Sequence, residues 1–192
     1  MIQVPSDFNN ARPYDGSSAA PLPVGGHACR INGAKLETAR TGTPMLVVAF
    51  DISEGGEYDD YYRARYERAI QFRTDAKWPG VFRAPITTRE GKTSGYFKGL
   101  ITAIEESNAG FKFSGDENAL KNKMVGFNFG EEEYKGREGD IKTSVKPFYA
   151  VSVGRVREGI DPPQKKLYKP TQSDMMASRG FTEVEDNTPL PF

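Results

Sequence analysis

One cysteine, one histidine and one tryptophan are all that 192 residues contain of these types. Cys29 alone excludes an internal disulfide, and Cys29 with His27 cannot supply the four ligands of a structural zinc site. No apolar run approaches the ~18 residues of a membrane-spanning helix. The opening Met-Ile-Gln-Val-Pro-Ser-Asp lacks a basic patch followed by an apolar stretch, so no secretion signal and a cytoplasmic location are expected. Net charge is also missing: 26 Lys and Arg balance 26 Asp and Glu, unlike the basic excess of most nucleic-acid-binding domains. Enzyme signatures are absent too. There is no Gly-x-Ser-x-Gly, Gly91-Lys92-Thr93 has Ile86 where a phosphate-binding loop needs Gly, and His27 has no acid partner apparent from the sequence.

What is present is charge segregated along the chain. Between Tyr61 and Arg83 stand Arg63, Arg65, Arg68, Arg73, Lys77 and Arg83 against only Glu67 and Asp75; from Phe181 onward there are Glu183, Glu185 and Asp186 and no Lys or Arg. With 20 Gly and 13 Pro, the chain reads as one loop-rich globular domain with tails. Residues 1–22, rich in Asn, Ser and Pro, read as a flexible arm, and residues 158–192, with no core periodicity, as a disordered tail. The domain is expected over 23–157.

Within it, Gly25 to Glu37 and Thr43 to Ser53 read as a hairpin turned at Thr41-Gly42-Thr43-Pro44, with Leu46, Val48, Phe50 and Ile52 on one face. The stretch from Tyr58 to Arg73 reads as a third strand, which would set Tyr62, Ala64, Tyr66, Ile70 and Phe72 opposite Tyr61, Arg63, Arg65 and Arg73. Ser94-Gly95 opens a helix whose Phe97, Leu100, Ile101 and Ile104 form one stripe, ending near Ser107-Asn108. Asp116 caps a short helical turn, Lys123 to Tyr134 forms a fourth strand, residues 136–140 turn, and Ile141 to Val156 closes the set. In this last strand Val145, Tyr149, Val151 and Val153 share a face. The expected class is therefore mainly β. Its element order is that of a five-stranded oligonucleotide-binding (OB-fold) barrel with one helix between the third and fourth strands.

The basic stretch interleaves rings with cations. Bases stack on aromatic faces for ~1–3 kcal/mol each, while arginines hold the phosphates between them. Tyr61, Tyr62, Tyr66, Trp78 and Phe82 are the stacking candidates, some of which must be core, and Arg63, Arg65, Arg68, Arg73, Lys77 and Arg83 the phosphate contacts. A strand with a solvated Arg face and a buried Tyr face explains the same residues equally well. The later strands add Tyr134, Lys135, Arg137, Lys146 and Phe148, whereas Phe127 and Phe129 read as core. Asp51, Glu54, Asp59, Asp60 and Glu131-Glu132-Glu133 could serve a magnesium-dependent nuclease, but neighbours on a strand point to opposite faces, and solvated loop charge is the simpler reading. In the closing Asp186-Asn-Thr-Pro-Leu-Pro-Phe192, a ring, a carboxylate and stiff prolines suit a basic-rimmed apolar pocket on a partner.

That ending resembles the C-terminal tip of bacterial single-stranded DNA-binding proteins, matched by Asp186, Pro191 and Phe192 with Leu190 at the aliphatic place and Pro189 additional. Leu22 to Gly159 resembles a family of single-stranded DNA-binding proteins from phages and prophages of Gram-positive hosts. The matching stretches are Gly42-Thr-Pro-Met-Leu, Tyr96-Phe-Lys-Gly-Leu-Ile-Thr-Ala-Ile-Glu-Glu-Ser-Asn108, Leu120-Lys-Asn-Lys-Met-Val-Gly126 and Gly139-Asp-Ile-Lys-Thr-Ser-Val145. The resemblance implies an oligonucleotide-binding barrel, sequence-tolerant binding of single-stranded DNA, and service to replication or recombination in the host cytoplasm. It supplies no map of contacts. The expectation is a protein that is not an enzyme, needs no cofactor or metal, has no membrane partner, and recruits replication or recombination proteins through Asp186, Pro189, Leu190, Pro191 and Phe192. The alternatives are a metal-dependent nuclease and a protein-binding adaptor, and the oligomeric state, a homodimer being one option, is open.

Overall fold

A computed structural model describes residues 3–6, 8–9, 20–136 and 138–170. Apolar alternation builds the first hairpin as expected. β1 (Gly25–Thr38) pairs antiparallel with β2 (Pro44–Ile52), and Leu46, Val48, Phe50 and Ile52 are all buried on one face. Gly42 turns the hairpin at φ 83°, a backbone state that costs a residue with a side chain dearly. β3 (Val81–Pro85), β4 (Met124–Lys135) and β5 (Ile141–Val151) complete a five-stranded antiparallel sheet of order β3-β2-β1-β4-β5. Among the described residues three α-helices accompany it: α1 (Tyr61–Ile70), α2 (Gly95–Ser107) and α3 (Val153–Glu158). The structure is mainly β. Among the described residues, no helix is long and apolar enough to cross a membrane.

Strands lie ~4.8 Å apart, so the two edges of a flat five-stranded sheet would be separated by ~19 Å. The core shows that this sheet is curled. Phe82 of β3 and Phe127 of β4, which are not neighbouring strands, bring their rings to 4.9 Å, and Phe50 of β2 meets Phe127 at 4.5 Å. α2 closes this interior with Leu100, Ile101 and Ile104. Its ends follow the sequence: Ser94 Oγ accepts from Tyr96 N–H at 3.2 Å, and Asn108 ties the last turn to β4 by accepting from Met124 N–H at 3.0 Å. Asp116 caps its short turn by accepting from Asn118 N–H at 2.9 Å.

β3 has no counterpart in the sequence reading, which parts from the structure at four further places. The stretch read as a third strand is the helix α1. The cause is a carboxylate ten residues upstream: Asp51, buried in β2, accepts from Tyr62 N–H at 2.8 Å and Arg63 N–H at 2.9 Å, satisfying amides that a helix start leaves open. Consecutive Tyr61 and Tyr62 can then both face inward, which a strand forbids. Secondly, the last strand ends at Val151 and gives way to α3, because Gly26 and Gly126 leave a window in the sheet: a Cβ at Gly126 would collide with Val156 and one at Gly26 with Ile160. Thirdly, β5 carries a bulge. Phe129 pairs with Pro147 but Asn128 with Tyr149, so Tyr149 leaves the core face that Val145 shares and lies 38% exposed.

Fourthly, part of the stretch read as a tail, around Lys166, runs along β4. Lys166 N–H donates to Glu131 O and Glu133 N–H donates to Lys166 O, both at 2.9 Å. At the other end of the domain Leu22 is buried and its N–H donates to Tyr61 Oη at 3.1 Å, fixing the end of the arm.

Candidate nucleic-acid interface

The helical Tyr61–Ile70 segment separates the rings from Arg63 and Arg68, with which the sequence interleaves them, and leaves only Arg65 beside a ring. Tyr62 is buried against Phe50, ring centroids 5.5 Å apart, and Gly80 has no side chain because a Cβ there would strike the Tyr62 ring and Phe50 O. Burial pushes the Tyr62 hydroxyl well above its ordinary range. Tyr61 is buried too; Arg65 donates to its hydroxyl and lies 5.0 Å over its ring. Phe82 belongs to the core. These three rings pack against the protein's own side chains and belong to the core, Tyr62 and Phe82 also bordering the groove described next. Arg63, Arg68 and Arg73 stand on the outer surface, Arg63 beside Asp60 at 3.7 Å and Arg73 beside Asp75 at 3.4 Å. Lys77 is exposed. Tyr66 lies 5.5 Å from Trp78, whose indole N–H donates to Phe50 O at 3.0 Å.

A different part of the surface brings rings and cations together. Two adjoining cavities, of about 860 and 580 Å³, share Tyr96, Phe148 and Lys166. The first opens between the start of α2 and β5, reaching Arg89 and Tyr149. The second continues between the two edge strands, from Trp78 and Arg83 on the β3 side to Lys146 on β5. Local structure dictates what faces this groove. Alternation in β3 turns Phe82 and Ala84 to the core and Arg83 outward. Tyr96 precedes Phe97 of the α2 core stripe, so it falls beside that stripe and is 55% exposed. The bulge in β5 presents Phe148 and Tyr149 in succession.

The charges around the groove differ in how they are satisfied. Lys146 donates to Glu132 at 2.8 Å, a bond that draws the Glu132 carboxyl below its ordinary range. Among the described residues, Arg83, Arg89 and Lys166 form no ion pair. Of the sequence candidates, Trp78, Arg83, Lys146 and Phe148 line the groove, as do the largely buried Tyr62 and Phe82; Tyr134 and Lys135 lie at the end of β4. Arg137 and Asp186, Pro189, Leu190, Pro191 and Phe192 lie outside the described residues. Sequence reasoning missed Tyr96, Arg89, Tyr149 and Lys166. The helical period alone could have found Tyr96; the other three depend on a loop, a bulge and a backbone pairing.

The carboxylates weighed for metal chemistry have structural partners. Asp59 accepts from Glu54 N–H at 2.8 Å and Gly55 N–H at 2.9 Å, and these bonds hold its pKa below the ordinary value. Burial raises that of Asp51 despite its three backbone donors. Glu133 is paired with Lys165 at 2.9 Å, which lowers the Glu133 carboxyl and raises the Lys165 ammonium. Among the described residues, no three His, Cys, Asp or Glu side chains gather as a metal site requires. His27 does have an acid partner, contrary to the sequence reading: its Nδ1 lies 3.1 Å from Glu54 Oε1 and its Nε2 3.0 Å from Pro23 O. It joins the arm to the end of β2. Cys29 is fully buried, and burial raises its thiol pKa. No protein-family model and no curated protein matches the chain.

Proposed function

We propose that this protein binds single-stranded DNA without strong sequence preference, in the groove between β3 and β5, and that it acts as a coating protein rather than as an enzyme. One observation carries the reading: exposed rings (Tyr96, Tyr149) and cations without an ion pair among the described residues (Arg83, Arg89, Lys166) border the same continuous groove. Stacking surfaces and phosphate partners at one opening are what an unpaired strand needs, and every base offers a face. On this reading the curled sheet is an oligonucleotide-binding barrel with α2 as the helix between its third and fourth strands. Service to phage replication or recombination follows from the resemblance in sequence. So does docking of partner enzymes on Asp186, Pro189, Leu190, Pro191 and Phe192.

Trp78, the sole tryptophan, lines the groove and reports its occupancy. Titration with oligothymidine is expected to change its fluorescence, with log affinity falling against log salt by ~0.7 for each phosphate neutralised. Absence of any change in fluorescence or mobility in dilute buffer would overturn the assignment.

A further inference from the structure

Residues 160–168, after α3, belong to no regular element, yet they are held at successive points. Ile160 and Val156 fill the space that Gly26 leaves, Asp161 O accepts from Asn128 Nδ2 at 2.9 Å, and Pro163 covers Gly130. Lys166 then pairs in parallel with the part of β4 that extends past β1, and Tyr168 N–H donates to Glu133 at 3.1 Å. In an extended chain, successive side chains point to opposite sides. Lys165 accordingly turns to Glu133 at 2.9 Å and Glu131 at 3.6 Å, where its charge is neutralised. Lys166 turns the other way. Its ammonium stands 4.2 Å above the Phe148 ring, in the wall common to both cavities, with no carboxylate at ion-pair distance among the described residues.

Resting on the single-strand reading above, we propose that residues 160–168 are a built wall of the binding groove and that Lys166 is a phosphate contact delivered by it. Lys165 anchors the wall and Lys166 reads the ligand. An exposed ammonium on an aromatic face is weakly held, so an arriving phosphate draws Lys166 off Phe148 and leaves that ring free to receive a base. The wall thus couples a charge contact to the uncovering of a stacking surface.

The test is oligothymidine titration of the full chain at several salt concentrations, comparing Lys166→Ala, Lys166→Arg and, as an exposed neighbour outside the groove, Lys169→Ala. Lys166→Ala is expected to bind several-fold more weakly and to lose ~0.7 from the salt slope, the loss of one phosphate contact. Lys166→Arg should restore the slope, and Lys169→Ala should leave it unchanged. Lys166 is exposed, so all three variants should melt with the parent. An unchanged slope in Lys166→Ala, an equal loss in Lys169→Ala, or tighter binding by Lys166→Ala would each overturn the wall as a contact while leaving the function intact. A parent chain that ignores oligothymidine would remove both.

Discussion

Helix α1 and the β3–β5 groove contain the same kinds of residue and use them in opposite ways. In α1 the rings of Tyr61 and Tyr62 turn inward and Arg63 and Arg68 outward, only Arg65 reaching back over Tyr61, so most of the charge parts from the rings. In the groove, Tyr96, Phe148, Arg83 and Lys166 come from four separate stretches of chain and meet around one opening. Interleaving along a sequence is therefore no measure of interleaving in space. A helix sorts residues by a period of 3.6 and a strand by a period of 2, and either can part what the sequence joins.

The comparison would break most visibly at the tyrosines. Tyr62 fills the space between Phe50, Gly80 and the start of α1, and removing a buried ring of this size costs ~3–5 kcal/mol. Tyr62→Ala is expected to lower the thermal midpoint severely; a midpoint within a degree or two of the parent would mean that the ring is a ligand surface after all. Tyr96→Ala should behave in the reverse manner. With the ring over half exposed, stability should stay within ~0.5 kcal/mol. Affinity for oligothymidine should drop by the ~1–3 kcal/mol that one base-stacking ring contributes. Tyr96→Phe, which keeps the ring, should bind like the parent, and failure of this rescue would argue for the hydroxyl rather than the stack.

Why one site was legible and the other was not follows from the range of the interactions involved. The β1–β2 hairpin, α2 with its Ser94 cap, the Asp116 turn and β4 are specified by neighbours a few residues apart, and the sequence shows them plainly. α1 was hidden because its N-terminal amides are satisfied by Asp51, on another element. Once it was read as a strand, the five-residue β3 had no role left and went unnoticed. The groove needs more still. Phe148 and Tyr149 reach it through a bulge, and Lys166 through pairing with Glu131 and Glu133, some 35 residues earlier. Of the groove residues, Tyr62, Trp78, Phe82, Arg83, Lys146 and Phe148 are named from sequence, but as members of two unrelated groups. The curl that joins them is a property of the whole sheet.

The smallest expected effect draws the sharpest line between the two regions. Arg63 lies on the solvent side of α1 near an equally exposed Asp60 at 3.7 Å, a pair that contributes little to stability, and Arg68 is exposed a turn and a half further on. The Arg63→Ala, Arg68→Ala double variant should therefore keep its melting temperature and nearly all its affinity for oligothymidine, weakened only by the loss of two charges that do not line the groove and are screened over ~8–10 Å. Its salt slope should match the parent. Arg83→Ala, a single change on the groove wall, should lower that slope by ~0.7. If the double variant loses twice that amount and Arg83→Ala loses none, the strand follows the helix surface, and the local order of residues would have been the better guide to the site than the curled sheet.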